Sequence, residues 1–405
     1  MMPVFDASIR TKFVDGSTDL GGKGWVLKDY IIDVYPNLVP GVKTPALWLW
    51  GFGSSGQLGN NTIGRTSSPV QTIAGGMNWK QVSCGSTHTA CVKTDGTLWL
   101  WGSGGSGELG DNTVVGKSSP VQTITGGTNW AQVACGNSYT AAIKTDGTLW
   151  LWGANSGQLG DNTVVGKSSP VQTITGGTDW RQVSCGVFSH TAAVKTDGTL
   201  WLWGPNNFGR LGDGTASARS SPVQTVTGGT NWAQVACGRL HTLAVKTDGT
   251  LWAWGLNTTG QLGDNTAIAK SSPVQTITGG TNWKQVSCGY THTACVKTDG
   301  TLWLWGSGGS GELGDNTVVG RSSPTQTITR GSTWKQVALG YDYTACIKAD
   351  GTLWMWGRNQ LGQLGNNTLT SRSSPVQTIA LGFTWKQVAC PAASQRAAAI
   401  ADGNY

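Results

Sequence analysis

Charge is scarce in this chain: Asp, Glu, Lys and Arg together fill only 12% of its 405 positions, and there are four histidines and four methionines. With 38% hydrophobic residues the composition is still that of a folded globular protein and excludes a disordered one. No apolar run approaches the roughly 18 residues of a spanning helix, so no membrane insertion is expected. The opening MMPVFDASIRTKF has no apolar core followed by a small-residue cleavage site. Secretion through a signal peptide is therefore not expected, and a cytoplasm is the first location.

Catalytic signatures are missing as well. There are no paired carboxylates, no nucleophile elbow and no HExxH motif, so the sequence predicts no enzyme and no cofactor. GDNTVVGKSS, residues 110–119, places five residues between Gly110 and Gly116 where a phosphate loop needs four, and no helical pattern follows. His88, His190, His241 and His292 share one phase of the sequence with Tyr139 and Tyr343. Tyrosine is a poor substitute for an imidazole metal ligand, so a strand-end hydrogen bond is expected there, with no metal. Nine cysteines include one phase in which Leu339 replaces the thiol, as a small buried hydrophobe allows. Cys84 with Cys91 and Cys288 with Cys295 fall on neighbouring strands, but spacing alone predicts no disulfide. The net charge of +7 is spread thinly, and residues 1–44 sum to zero, so no specific nucleic acid partner is expected.

What the chain has in abundance is tryptophan, 22 residues, and glycine, 61. LWLWG or a close variant ends at Gly51, Gly102, Gly153, Gly204, Gly255, Gly306 and Gly357, an interval of 51 residues each time. Fourteen tryptophans belong to these pairs and seven more recur at Trp79, Trp130, Trp180, Trp232, Trp283, Trp334 and Trp385, leaving only Trp25 outside. A fixed period of this size signals a repeat architecture. Within residues 97–147 the segments TLWLWG, SSPVQTI, WAQVACG and YTAAIKTDG read as four short strands A to D, one propeller blade. Alternation points Leu98 and Leu100 one way and Trp99 and Trp101 the other, so both faces are apolar and each sheet belongs between two neighbours. Trp99, Trp101, Trp150, Trp152, Trp201 and Trp203 are accordingly read as packing. The lysine before each TDG, such as Lys93, is read as part of a solvated turn. The fold class is all-β: a seven-bladed propeller over residues 45–405, closed by pairing Ala46–Gly51 with strands near 385–390 and 397–402, which removes exposed edges.

The recurring WGxxxxGQLGDNT, CGxxHT and KTDGTLWLWG steps resemble the regulator of chromosome condensation repeat family of seven-bladed propellers. The resemblance covers residues 45–405 and implies a fold that presents loops to partners. Exchange-factor members of that family are similar but carry an inserted wedge and a basic arm, neither of which is seen here. Ultraviolet-sensing members carry tryptophan in a GWRHT step where this chain has Gly85 to Thr89 and Gly289 to Thr293 without one.

Comparing the seven copies, the turns near TITGGTN and KTDGT hardly change, whereas the A to B and C to D connections vary. These leave one face of an up-and-down sheet. That face carries the aromatics Phe52, Tyr139, Phe188, Phe208, Tyr290 and Tyr341 with Arg239, Asp342, Arg358 and Asn359, a mixture suited to a protein or glycan partner. Residues 1–44 stand outside the repeat as an arm. Trp25, Leu27, Tyr30, Ile31, Val34 and Tyr35 follow helical spacing before Pro36, predicting one short amphipathic helix that packs on the propeller or docks another subunit. The arm resembles the openings of propeller proteins encoded by marine bacterial viruses. Residues 79–116 and 283–320 differ only at Ser86 versus Tyr290, as recent duplication would leave them. The expected function is a non-enzymatic interaction module, anchored to virion subunits by its arm and facing a host-surface protein or glycan, in the virion or the host cytoplasm during assembly. Two alternatives stand beside it: an intracellular scaffold such as a guanine nucleotide exchange factor, and a passive decoration protein.

Overall fold

Each LWLWG segment alternates leucine and tryptophan with no polar face, so it gains by lying between two apolar sheets. The computed structural model describes residues 45–402 apart from 73–77, 279, 329–332 and 380–382. The arm helix expected around Trp25 to Tyr35 lies outside the described residues. Twenty-eight strands form seven four-stranded antiparallel sheets. In blade 1 the order is Trp79–Cys84, His88–Lys93, Leu98–Gly102 and Lys117–Gln122. The equivalent spans Trp130–Gln172, Trp180–Gln224, Trp232–Gln275, Trp283–Gln326 and Trp334–Gln377 are blades 2 to 6. Blade 7 combines Thr384–Ala389 and Arg396–Asp402 with Pro45–Gly51 and Thr66–Gln71, in register Pro45 to Asp402 through Gly51 to Arg396. The predicted closure is thus the observed one.

The blade frame differs from the 97–147 reading. Strands A and B of that window belong to blade 1 and strands C and D to blade 2. The D to A turn at Thr94–Thr97 is a tight hairpin inside a blade, so the crossing to the next blade falls at the B to C segment, while the long A to B connection enters the gap to the next blade. Gly107 sits against Ser168, and Gly110 (φ +67°) has no room for a Cβ, which would lie 2.7 Å from Trp152 Nε1. The innermost strands of successive blades touch one another, and Thr384–Ala389 touches Trp79–Cys84 to complete the circle.

Hydrophobic clusters fill the gaps: Leu98 and Leu100 of blade 1 meet Trp130 and Trp152 of blade 2, while Trp101 meets Leu47 and Leu49 of blade 7. The two indoles of each pair therefore have different work. Trp101, Trp152 and Trp203 are wholly buried, and their Nε1 groups donate across the gap to the carbonyls of Gln57 (2.9 Å), Glu108 (2.9 Å) and Gln158 (2.7 Å). Trp99, Trp150 and Trp201 are half-buried and donate locally to Thr97, Thr148 and Thr199. Lys93 is not simply a solvated turn residue, because its ammonium lies 5.0 and 4.9 Å from the ring centres of Trp79 and Trp99. Cation–π contact of this kind is repeated through Lys348 in blade 6.

Two polar circuits join the blades. One glutamine per inner strand holds the backbone of the next blade's valine. Gln81 donates to Val133 O at 2.9 Å and accepts Val133 N–H at 2.8 Å, and Gln387 does the same to Val82 at 3.3 and 2.9 Å. The second circuit runs through the histidine phase. His88 meets Thr140 at 3.0 Å, Tyr139 donates to His190 O at 2.7 Å, His190 meets Thr242 at 3.1 Å, and His241 meets Thr293 at 3.3 Å. Tyr343 donates to Arg396 O. Arg396 occupies this phase in blade 7, fully buried, and its guanidinium donates to the carbonyls of Ser86 (2.9 Å), Gly85 (3.0 Å) and His88. A buried charge whose two terminal nitrogens are met by backbone acceptors thus ties the last blade to the first.

All nine cysteines are free thiols. Burial pushes Cys135 and Cys237 up to about 12 and raises Cys84, Cys91, Cys185, Cys288, Cys295, Cys346 and Cys390 as well. Since the thiolate is the reactive form, an aromatic disulfide reagent should modify almost none of them at pH 8 in the native protein. All nine should react once guanidinium unfolds the chain. Fast labelling confined to the half-buried Cys185 and Cys390 would show reagent entering the central hollow they line, whereas fast labelling of Cys91, Cys295 or Cys346 would show that the gaps between blades are open. Among the described residues no helix is long and apolar enough to cross a membrane.

Candidate functional site

The C to D connections place one residue after a glycine at the same point of each blade. In blades 4, 5 and 6 that residue is Arg239, Tyr290 and Tyr341, and blade 3 contributes Phe188 from its longer connection. The structure brings these four together. The Arg239 guanidinium lies 4.8 Å from the Phe188 ring centre and 4.3 Å from that of Tyr290. Tyr290 and Tyr341 stack with centroids 4.1 Å apart and a 30° angle between planes. Asp342 and Arg358 extend the row, with Arg358 Nε 3.5 Å from Asp342 Oδ2. Burial and the neighbouring Glu312 push the Asp342 carboxyl up to about 6, against the pull of Arg358. An aromatic and cationic arc therefore spans blades 3 to 6. At the matching point blades 1 and 2 carry Ser86 and Asn137, and blade 7 has Pro391, Ala392 and Ala393.

Beside the arc, between the connections of blades 3 and 4, lies a cleft of about 360 Å³ walled by Phe188, Phe208, Pro205, Leu240, Arg210 and Arg239 among others. Phe208 remains 49% exposed and Phe188 43%, so the cleft presents two adjacent aromatic rings to solvent. The backbone is unusual in the same place. Among the described residues every non-glycine position with positive φ is asparagine except Ser189 (+63°) and Phe208 (+67°), and both line this cleft. Left-handed backbone at a phenylalanine costs of order 1 to 3 kcal/mol and is typical of sites shaped for a ligand.

Three residues expected on the binding face are placed otherwise. Tyr139 is fully buried, its hydroxyl spent on His190 O, and belongs to the circuit between blades. Asn359 is also fully buried: its amide donates to Asn366, Thr368 and Thr370, and its oxygen accepts Leu364 N–H. Asn155, Asn206 and Asn257 hold their own connections in the same way, and this recurrence was visible in the sequence. Phe52 is half-buried in blade 7, with its amide bonded to Gln395 O, and no ring contact joins it to the arc among the described residues. Sequence reasoning missed Arg396 and Arg210. Arg210 stands where other repeats have glutamine or glutamate and is 2% exposed, its Nε donating to Pro205 O at 2.6 Å. Among the described residues no group of three or more His, Cys, Asp or Glu side chains is placed to hold a metal.

Fold and site together define a closed seven-bladed propeller with one asymmetric face. The chain belongs to the RCC1-like domain family, whose model matches residues 46–400. It is 32% identical over 338 residues to the ultraviolet-B receptor UVR8 of Arabidopsis thaliana, covering 80% of this chain and 76% of that protein. To the mitochondrial RCC1 domain-containing protein RUG3 of the same plant it is 28% identical, covering 89% and 88%. Human WBSCR16 shares the fold with a TM-score of 0.77 at 21% identity, over 90% of this chain and 100% of that one. The yeast protein Prp20p, studied for its binding to Gsp1p and histones, does so with a TM-score of 0.77 at 18% identity, over 92% and 94%.

Proposed function

We propose that this protein is a non-catalytic recognition module whose partner binds the arc from Phe188 to Arg358. The observation that carries this reading is the confinement of stacked aromatics and arginine to blades 3 to 6 of a ring that is otherwise nearly uniform. Aromatic and arginine side chains dominate the energetics of protein interfaces, and an arc already stacked loses little entropy on binding. The family setting agrees, since relatives include a receptor and a protein studied with protein partners.

The finer reading is a particle-mounted module, held by residues 1–44 to virion subunits and presenting the arc to a host-surface protein or glycan. It is supported by the resemblance of the opening segment to propellers of marine bacterial viruses and by the near-identity of residues 79–116 and 283–320. Tyr290→Ser, which copies blade 1 at the one position where these segments differ, provides the test. Partners captured by the full chain from host lysates and purified particles should bind the variant about ten- to a hundredfold more weakly at an unchanged melting temperature. Equal binding would remove the arc from the function. Recovery of the protein in purified particles supports the mounted form, whereas stimulated nucleotide release from a captured small GTPase would replace it with the regulatory-scaffold reading.

A further inference from the structure

The ligand chemistry of this face is written in the cleft next to the stack, and the inference rests on the recognition role just proposed. The Arg239 guanidinium lies against two rings that also meet each other, 4.8 Å from the Phe188 centre and 4.3 Å from that of Tyr290, with the two ring centres 6.4 Å apart. Its Nε is buried without a hydrogen-bond partner among the described residues. A guanidinium packed against aromatic rings in this way keeps its N–H fork as its means of strong contact, and that fork of donors is matched to an oxyanion. Arg210 brings a second guanidinium to the same cleft, yet none of the nine lining residues is acidic. The rest of the wall is apolar: Phe188, Phe208, Pro205 and Leu240. Two cations without a counter-charge, in a hollow of about 360 Å³ with aromatic sides, match a carboxylate carried next to a hydrophobic side chain.

We infer that the cleft between the blade 3 and blade 4 connections binds an acidic peptide segment of the partner, with an Asp or Glu carboxylate on Arg239 and an adjacent apolar side chain between Phe188 and Phe208. The strained backbone supports the same assignment. Phe208 holds φ at +67°, where glycine would rest without strain, so its ring is kept in the cleft at a cost to the fold. Phe208→Gly should therefore raise the unfolding midpoint while weakening the ligand, a combination that a purely structural residue does not give.

The experiment is a selection of random dodecapeptides displayed on phage against the immobilised full chain, followed by solution titration of synthetic winners. Enriched peptides should carry Asp or Glu beside Leu, Ile or Phe. Changing that acid to its amide, or Arg239 to Gln, should each weaken binding about tenfold or more, with no added loss when the two are combined. Neutral winners that still lose binding to Tyr290→Ser would overturn the acidic ligand and leave the arc in place. Winners indifferent to both Arg239→Gln and Tyr290→Ser would overturn the arc as well. Absence of any enriched peptide, or a Phe208→Gly protein that binds as well as the wild type, would overturn the inference.

Discussion

Arg396→Ala is expected to open the ring. The substitution removes donors from three carbonyls, those of Gly85, Ser86 and His88, at the one junction where the end of the chain meets its beginning. Each bond to a charged donor is worth about 1.5 to 3 kcal/mol, and an orphaned buried carbonyl costs about 1 to 3 kcal/mol. Relief of the desolvated guanidinium offsets part of this. A net loss of about 3 to 5 kcal/mol is expected, read as a large fall in the urea midpoint. Arg210→Gln is the control, since glutamine fills that position in blades 2, 4, 6 and 7 of the A to B series, at Gln158, Gln261, Gln363 and Gln57. It should change stability by less than about 1 kcal/mol. Equal midpoints for Arg396→Ala and wild type would show that strand pairing in blade 7 closes the ring unaided.

The second large effect is acid sensitivity below pH 6.5. Burial holds His88, His241 and His292 down to about 3 and His190 well below 6.5, with nearby Arg396 adding to the effect at His88 and Arg210 at His190. Above pH 6.5 these imidazoles are neutral whether the chain is folded or not, so they give no pH dependence there. Below it the unfolded chain takes up protons that the native state refuses, and stability falls with pH down to about 3. Each histidine contributes up to about 1.4 kcal/mol per pH unit, roughly 2 kcal/mol at pH 5. Three or four together rival the whole stability of an ordinary fold. The turn aspartates act in a different window. Asp95, Asp146 and Asp248 are held below the usual carboxylate range by hydrogen bonds from their threonines, so their contribution persists until the pH falls below about 3.8. Tryptophan fluorescence against pH should show cooperative unfolding between about pH 6 and 4. Neither ring nitrogen of His292 has a hydrogen-bond partner among the described residues, and tyrosine fills its phase in blades 2 and 6. His292→Tyr should therefore move the acid midpoint downward. Native histidine resonances titrating near 6.5 would contradict the burial argument.

The architecture was legible because the repeat supplied its own comparison. Seven LWLWG segments counted the blades, and the mismatch between first and last copies gave the closure later seen from Pro45–Asp402 to Gly51–Arg396. The sheet frame was less legible, since a linear period cannot show whether a long connection folds back or enters the next gap. At the candidate site, variation between copies pointed to side chains that the structure gathers into one cluster, as at Phe188, Arg239, Tyr290 and Tyr341. It misled where a position varies for internal reasons. Tyr139 and the histidines are alternative solutions to one buried hydrogen bond, and Arg396 is a third. The left-handed backbone at Ser189 and Phe208 left no trace in composition, because asparagine and glycine normally mark such positions and neither is present.

Ser86 and Tyr290 occupy the same point on two segments that are otherwise letter for letter the same from 79 to 116 and from 283 to 320. The scaffold accepts either residue without any other adjustment, so framework and message are written independently in this protein. Around the ring there are seven such characters, and the present reading runs Ser, Asn, Phe, Arg, Tyr, Tyr and then a proline and alanine blank. On the recognition role proposed above, a lineage would change what it binds by editing single codons in this alphabet, or shift the message around the circle by copying one blade over another, without renegotiating the fold.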